Sequence, residues 1–258
     1  MTRRKSTRKR APVQALVEEE STHAQDAVPE ADVAVVDVAP PEPEAEPVKE
    51  SAPVHFDGRF HEARVAEREG EFDRAIEIYR QLLLESPEDV RVRNNLGCLY
   101  EKRGDFTRAL EQYEAARMIA PDNVSVLLNI GGALAALNRF DQAEREFKAA
   151  QKIDPSRSDV YTQLGIMNFK RGRYPHAEAE LKRAIELDAD NGTAYFYRGE
   201  SLNHLQRVDE GIEMLERAVQ LQPGNGRAYY TLGLLYDRKN LRQEAQQMFR
   251  KAREVAAT

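Results

Sequence analysis

From residue 56 onward, apolar residues recur with helical spacing in successive blocks of 34 residues. Within a block, one apolar stripe falls at positions 4, 7, 8 and 11, and a second falls at positions 17, 20, 24 and 27. Spacings of three and four place such side chains on one face of a helix. Between the stripes most blocks carry glycine or asparagine, and four blocks carry proline at position 32. Because these residues favour turns or end helices, each block predicts two helices joined by a tight turn.

Glycine occupies position 8, inside the first predicted helix, in five successive blocks: Gly97, Gly131, Gly165, Gly199 and Gly233. A glycine in a helix interior costs about 1 kcal/mol relative to alanine, so its recurrence needs a structural reason. Alanine predominates at positions 20 and 27, whereas position 24 always holds a large apolar residue. We interpret the glycine as facing the alanines, so that the two helices pack at the short end of the usual range of about 8–10 Å.

This pattern resembles the tetratricopeptide repeat (TPR). The family template has a large residue at 4, Leu at 7, Gly at 8, Tyr at 11, Ala at 20, an aromatic at 24, Ala at 27 and Pro at 32. The resemblance covers residues 56–258 and implies an all-α fold, a right-handed α-solenoid of stacked antiparallel helix pairs. The predicted blocks are an atypical repeat at 56–89 followed by repeats at 90–123, 124–157, 158–191, 192–225 and 226–258.

Two blocks depart from the template within their helices. The first has Arg59 and Glu62 where a large residue and Leu are expected, so its first helix is predicted to be weak or to act as a cap. The fifth has Arg198 at position 7 and Gly211 at position 20, which predicts a locally looser stack.

The last block stops near position 33. Arrays of this family commonly add a solvating helix there, so Met248, Phe249 and Ala252 are expected to be less covered than their counterparts. The chain is then either monomeric or weakly self-associating through this C-terminal end.

Charge is unevenly distributed before the repeats. Residues 1–10 carry six basic residues and no acid, and residues 11–55 carry eleven acids against Lys49 alone. This Pro/Ala/Val/Glu-rich stretch has no helical period and too few apolar residues to offset the entropy of ordering. We interpret residues 1–55 as a disordered tail with a basic tip.

The remaining composition excludes several classes of protein. Cys98 is the only cysteine, which excludes an internal disulfide and a multi-cysteine metal site. No apolar run approaches the roughly 18 residues of a membrane span. The five histidines show no ligand spacing, and no glycine-rich phosphate loop is present. We therefore expect no catalytic residues, no metal and no cofactor.

In the family, positions 2, 5, 6, 9, 12 and 13 of the first helix line a concave groove. The candidate peptide-binding residues at these positions are Asn94, Asn95, Asn129, Gly132, Gln163, Ile166, Phe169, Phe196, Tyr197 and Tyr230. Position 6 forms a ladder of carboxamides that can donate to and accept from an extended backbone; the alternative is a solvated polar face. Gly132 leaves a bare floor where a ligand can approach the backbone, or is a tolerated surface glycine.

The resemblance implies a non-enzymatic scaffold that binds an extended peptide or a partner protein in the groove. The alternative is an adaptor that the basic tip tethers to nucleic acid or to an anionic membrane. The carboxylate-clamp pattern of the family is not met, because only Asn95 matches it. We expect a cytoplasmic protein, or a nuclear one if the source is eukaryotic.

Overall fold

The computed structural model describes residues 56–257, and every regular element in that range is an α-helix. The predicted disordered tail lies outside the described residues. The twelve helices in this range are α1 (Phe56–Arg68), α2 (Phe72–Glu85), α3 (Val90–Lys102), α4 (Phe106–Ile119), α5 (Val124–Ala136), α6 (Phe140–Ile153), α7 (Ser158–Lys170), α8 (Tyr174–Leu187), α9 (Gly192–His204), α10 (Val208–Leu221), α11 (Gly226–Arg238) and α12 (Arg242–Ala256).

Consecutive helices pack as pairs, and each pair stacks on the next. The predicted α-solenoid of helix pairs is therefore confirmed. The first helix, α1, has the same 13-residue length as α3. Its buried contacts come from the small side chains of Ala63 and Ala66, so the unusual sequence of the first block still forms a complete pair.

Short polar residues determine where the first helices begin. The side chains of Asp89 and Asn123 each accept hydrogen bonds from two backbone N–H groups at the start of α3 and α5. Asn191 and Asn225 accept one such bond each at the start of α9 and α11. These caps satisfy donors that a helix leaves unpaired at its first turn.

The turn inside each pair needs a residue with a positive φ. Glycine fills this position three times, and asparagine fills it twice. The fifth pair instead has Gln206, with φ of 62°, which the sequence pattern did not identify as a turn signal. A non-glycine residue in this left-handed conformation costs roughly 1–2 kcal/mol, so Gln206 is a locally strained position.

The recurring glycine lies against the large residue at position 24 of the second helix, a contact that the sequence pattern did not predict. A Cβ added to Gly97 would lie 2.4 Å from Cε1 of Tyr113, and one added to Gly131 would lie 2.3 Å from Cε1 of Phe147. Both rings are buried. The large side chain points across the pair and occupies the space that a Cβ at position 8 would need.

From the second repeat onward, position 14 alternates between a basic residue and leucine. Arg103 pairs with Asp73 of the preceding repeat, and Arg171 donates to Asp141 at 2.9 Å. Lys239 forms the equivalent pair with the aspartate at position 209. Leucine takes the place of the basic residue in the third and fifth repeats. The ion pairs made by position 14 therefore occur at every second joint, and other ion pairs, such as Arg117 with Glu146, lie at a joint between them.

The fifth repeat interrupts the apolar core. Arg198 donates to Glu178 at 2.8 and 3.1 Å and to the sulfur of Met214 at 3.3 Å. Two clusters of buried apolar residues meet near this ion pair. The expected looser packing is not found at Gly211, because an added Cβ would lie 3.2 Å from Leu235. The fifth repeat therefore adds an ion pair to its joint with the fourth repeat, while the packing at Gly211 stays close.

The two adjacent glycines of α5 give a matched test of this packing. Gly131→Ala is expected to lower the free energy of unfolding by about 2 kcal/mol, because the new Cβ displaces the buried ring of Phe147. Gly132→Ala is expected to raise it by about 1 kcal/mol, because its Cβ meets no atom within 4 Å and alanine favours the helix. Urea denaturation measures both; equal effects would contradict the assignment.

A second test concerns the strained turn. Gln206→Gly is expected to stabilise the chain by about 0.5–1 kcal/mol, because glycine adopts a positive φ without steric cost. The reverse change, Gly172→Gln at the matching turn with φ of 72°, is expected to destabilise it by about 1–2 kcal/mol. Thermal melts of the two variants provide the comparison, and a loss of stability in Gln206→Gly would refute the strain.

Candidate peptide-binding groove

The first helices of the N-terminal repeats line an open groove. Residues of α1, α3 and the start of α5 enclose about 770 Å³, with Phe60, Asn94, Asn95 and Cys98 among the lining side chains. The guanidinium of Arg91 lies 5.2 Å from the centre of the Phe60 ring. This part of the groove therefore combines the aromatic ring of Phe60 with the carboxamides of Asn94 and Asn95.

Two of the three carboxamides predicted as a ladder at position 6 already bond other side chains. The Nδ2 of Asn129 donates to Oδ1 of Asn94, in the preceding repeat, at 2.7 Å. The Nδ2 of Asn95 donates to the hydroxyl of Tyr79 at 3.3 Å. Gln163 is half-buried on α7. The two asparagine amides hold the groove wall together, while their remaining lone pairs and hydrogens can serve a ligand.

Gly132 lies on an open floor in the middle of the array. No atom lies within 4 Å of the place its Cβ would take. The neighbouring Leu128 and Ala135 are buried. The floor is thus apolar and shallow, and a side chain added at Gly132 would project into free space.

Aromatic residues cluster on α7, α8 and α9. Phe169 contacts Tyr197 edge-on at 5.5 Å between ring centres and Tyr174 at 5.6 Å, and the ring of His204 stacks on Tyr174 at 4.0 Å. Ile166 is half-buried on the same face of α7. These aromatic rings already pack against one another, so they form a preorganised wall.

The other two aromatic residues predicted to line the groove, Phe196 and Tyr230, differ in exposure. Phe196 is only 4% exposed and belongs to the core, with Arg227 over its ring at 5.3 Å. Tyr230 is 54% exposed, and its ring contacts Phe249 on α12. Of the two, only Tyr230 offers surface to a ligand, because the stacked α11 covers Phe196.

A thiol, a phenol and a carboxyl group meet beside the groove. The hydroxyl of Tyr113 donates to Sγ of Cys98 at 3.4 Å. Burial raises the pKa of the Cys98 thiol, and the Tyr113 hydrogen bond partly offsets this rise. Burial likewise raises the pKa of Glu101, and burial raises the pKa of Tyr79 to about 12. This end of the groove therefore disfavours new negative charge on its own side chains.

Two exposed apolar surfaces were missed or only partly predicted. Leu84 and Met118 are 84% and 83% exposed at position 29 of the first two repeats, where later repeats have polar residues; that difference was visible in the sequence. At the other end, Phe249 and Ala252 are less covered than their counterparts, as expected, because both are partly exposed whereas positions 24 and 27 are fully buried upstream. Met248 does not differ in this way, because position 23 is partly exposed in every repeat.

Residues 56–257 contain neither a metal-ligand cluster nor a membrane-spanning helix. No cluster of three or more His, Cys, Asp or Glu side chains there has the arrangement to hold a metal ion. In the same range, no helix has the length and apolar character of a membrane span.

Stacked helix pairs with an open face of first helices define a tetratricopeptide-repeat protein, a class whose members are generally non-catalytic interaction scaffolds. Residues 10–258 match the family described as the cilia and flagella-associated protein 70 C-terminal domain, and the chain belongs to this TPR family. The comparison with curated proteins gave no significant match.

Several solved structures are similar to this chain. The crystal structure of MamA is 31% identical, with 63% of this chain and 95% of MamA covered and a TM-score of 0.54. YrrB, described as a TPR protein with an unusual peptide-binding site, is 24% identical over 69% and 91% of the two chains, with a TM-score of 0.51. PilF of Pseudomonas aeruginosa is 18% identical over 75% and 88%, with a TM-score of 0.66.

Cys98 provides a chemical test of the groove. Its labelling by a thiol reagent is expected to need a higher pH than that of free cysteine, because burial raises the pKa of the thiol. Tyr113→Phe should shift the rate profile to still higher pH, since the lost hydrogen bond stabilises the thiolate. Stopped-flow labelling across pH, with the urea-unfolded chain as control, measures both profiles; identical midpoints in the two folded proteins would contradict the contact.

Proposed function

We propose that the chain is a non-enzymatic scaffold that binds an extended peptide or a peptide-like segment of a partner protein along its first helices. The observation that carries the proposal is the open floor at Gly132, flanked by the Asn94–Asn129 pair on one side and the aromatic wall around Phe169 on the other. A peptide lying there can bury apolar side chains on the floor and exchange hydrogen bonds with the carboxamides.

The similarity to YrrB agrees with this proposal in fold. A peptide-binding site is stated of YrrB itself, and at 24% identity the likeness carries the arrangement of helices rather than the ligand. The role of the groove in this chain therefore depends on its own residues. We place the scaffold in the cytoplasm, where a half-buried free thiol such as Cys98 remains reduced.

A tether made by the basic tip remains a separate hypothesis, because residues 1–10 lie outside the described residues. Duplex DNA and anionic vesicles at low and high salt distinguish it from peptide capture, since phosphate contacts weaken steeply with salt. We prefer the scaffold hypothesis because the open floor at Gly132 and the side chains around it, all within the described residues, support it.

The groove is tested by separating binding from stability. Gly132→Leu is expected to weaken partner binding about ten-fold or more by filling the floor, while the melting temperature does not fall, because the new side chain enters open space and leucine favours the helix. Asn129→Ala is expected to weaken it about three- to ten-fold through the loss of one hydrogen bond. Partners captured from lysate with the full chain are titrated by calorimetry against each variant.

Met118→Ser is the control variant, because it changes an exposed side chain on a second helix rather than in the groove. It is expected to bind like the wild type. If Gly132→Leu and Asn129→Ala bind like the wild type while Met118→Ser does not, the surface at Met118 is the recognition site and the groove proposal fails.

A further inference from the structure

An open apolar pocket lies where α12 ends the described array. It encloses about 860 Å³ between α9, α11 and α12, and its walls include Tyr230, Phe249, Ala252 and Ala256. In every upstream repeat, position 24 is buried under the next pair, whereas Phe249 is only partly buried. Among residues 56–257, this pocket is therefore a surface that upstream repeats bury and that no described residue covers.

The back of this pocket contains a buried carboxylate. Glu200 is 9% exposed, and the hydroxyl of Thr231 donates to its Oε1 at 2.7 Å. Among residues 56–257 no ion pair neutralises it. A carboxylate has about four acceptor sites, and the second oxygen of Glu200 is open to solvent rather than fully buried without a partner. Glu200 thus has a neutral partner on one oxygen and lines the pocket without a cation.

Two arginines lie at the mouth of the pocket. The guanidinium of Arg227 stands over the Phe196 ring at 5.3 Å, and Arg253 projects from α12; both side chains are exposed. Solvent and salt screen exposed charges far more than buried ones. The rim therefore disfavours a run of several cations, while the interior favours a single one.

We propose that this pocket binds a peptide segment that carries one apolar side chain next to a single lysine or arginine. The apolar side chain lies against Tyr230 and Phe249, and the cation donates to the free oxygen of Glu200. The inference rests on the proposed peptide-binding function and adds a site that selects one chemical class of partner. Recognition by charge and apolar contact together explains why an acid is buried beside an apolar surface.

The test uses the full chain and arrays of short acetylated peptides. One leucine is fixed in each peptide, and every neighbouring position is scanned through all side chains. Selected peptides are then measured in solution by fluorescence anisotropy, each beside a copy whose lysine is replaced by the uncharged norleucine. We expect the wild type to prefer one lysine or arginine near the leucine, and the norleucine copy to bind about ten-fold more weakly.

Glu200→Gln keeps the acceptor for Thr231 and removes the charge. It is expected to bind the lysine and norleucine peptides equally, with an unchanged melting temperature. Glu213→Gln, an exposed glutamate on α10, is the matched control and should behave like the wild type. Tyr230→Ser is expected to weaken both peptides. Equal binding of the two peptides by the wild type, or a preference retained in Glu200→Gln, would overturn the proposal.

The same experiment distinguishes three further outcomes. If no array peptide binds and light scattering shows self-association that Ala256→Arg abolishes, a second copy occupies the pocket and the proposal fails. If Gly132→Leu loses the selected peptides while Glu200→Gln retains the lysine preference, the groove function stands and the pocket inference fails. If Gly132→Leu has no effect while Glu200→Gln removes the preference, the pocket stands and the groove proposal fails.

Discussion

The contact between the large side chain at position 24 and the glycine at position 8 is the constraint on which the rest of the structure depends. Tyr113, Phe147, Leu181 and Leu215 each fill the space left by the missing Cβ of a glycine on the paired helix. Because interiors are close-packed, the fit sets how near the two helices lie and how they are rotated. The penalty for a helical glycine is therefore offset by burial of a side chain with hardly any exposed surface.

This arrangement decides which residues are available for binding. One face of each first helix contacts its paired second helix, and another contacts the neighbouring repeat, so a single stripe remains exposed. Stacking also buries or hydrogen-bonds part of that stripe, as the burial of Phe196 and the Asn94–Asn129 bond show. The surface that we propose for binding is the part that packing leaves exposed: the floor at Gly132, the aromatic wall around Phe169 and the open end at Tyr230.

The joints between repeats add polar interactions to an apolar core. Arg171 bonds both Asp141 and Glu144 across a joint, at 2.9 and 3.1 Å, and Arg198 with Glu178 interrupts the core where leucine is expected. Partly exposed ion pairs contribute little to stability. Their directionality instead aligns neighbouring pairs.

The sequence alone determined the period, the two helices of each block and their order, because helix formation and pairing depend on residues near each other in the chain. It also indicated correctly that Gly132 differs from Gly131 and that Phe249 is poorly covered. It did not determine the partner of the glycine, the strain at Gln206, the burial of Phe196 or the isolation of Glu200 from any ion pair within residues 56–257. Those depend on the rotation of each helix about its axis and on the covering of one repeat by the next. Such contacts join residues on different helices or in different repeats, and only the packed tertiary structure decides them.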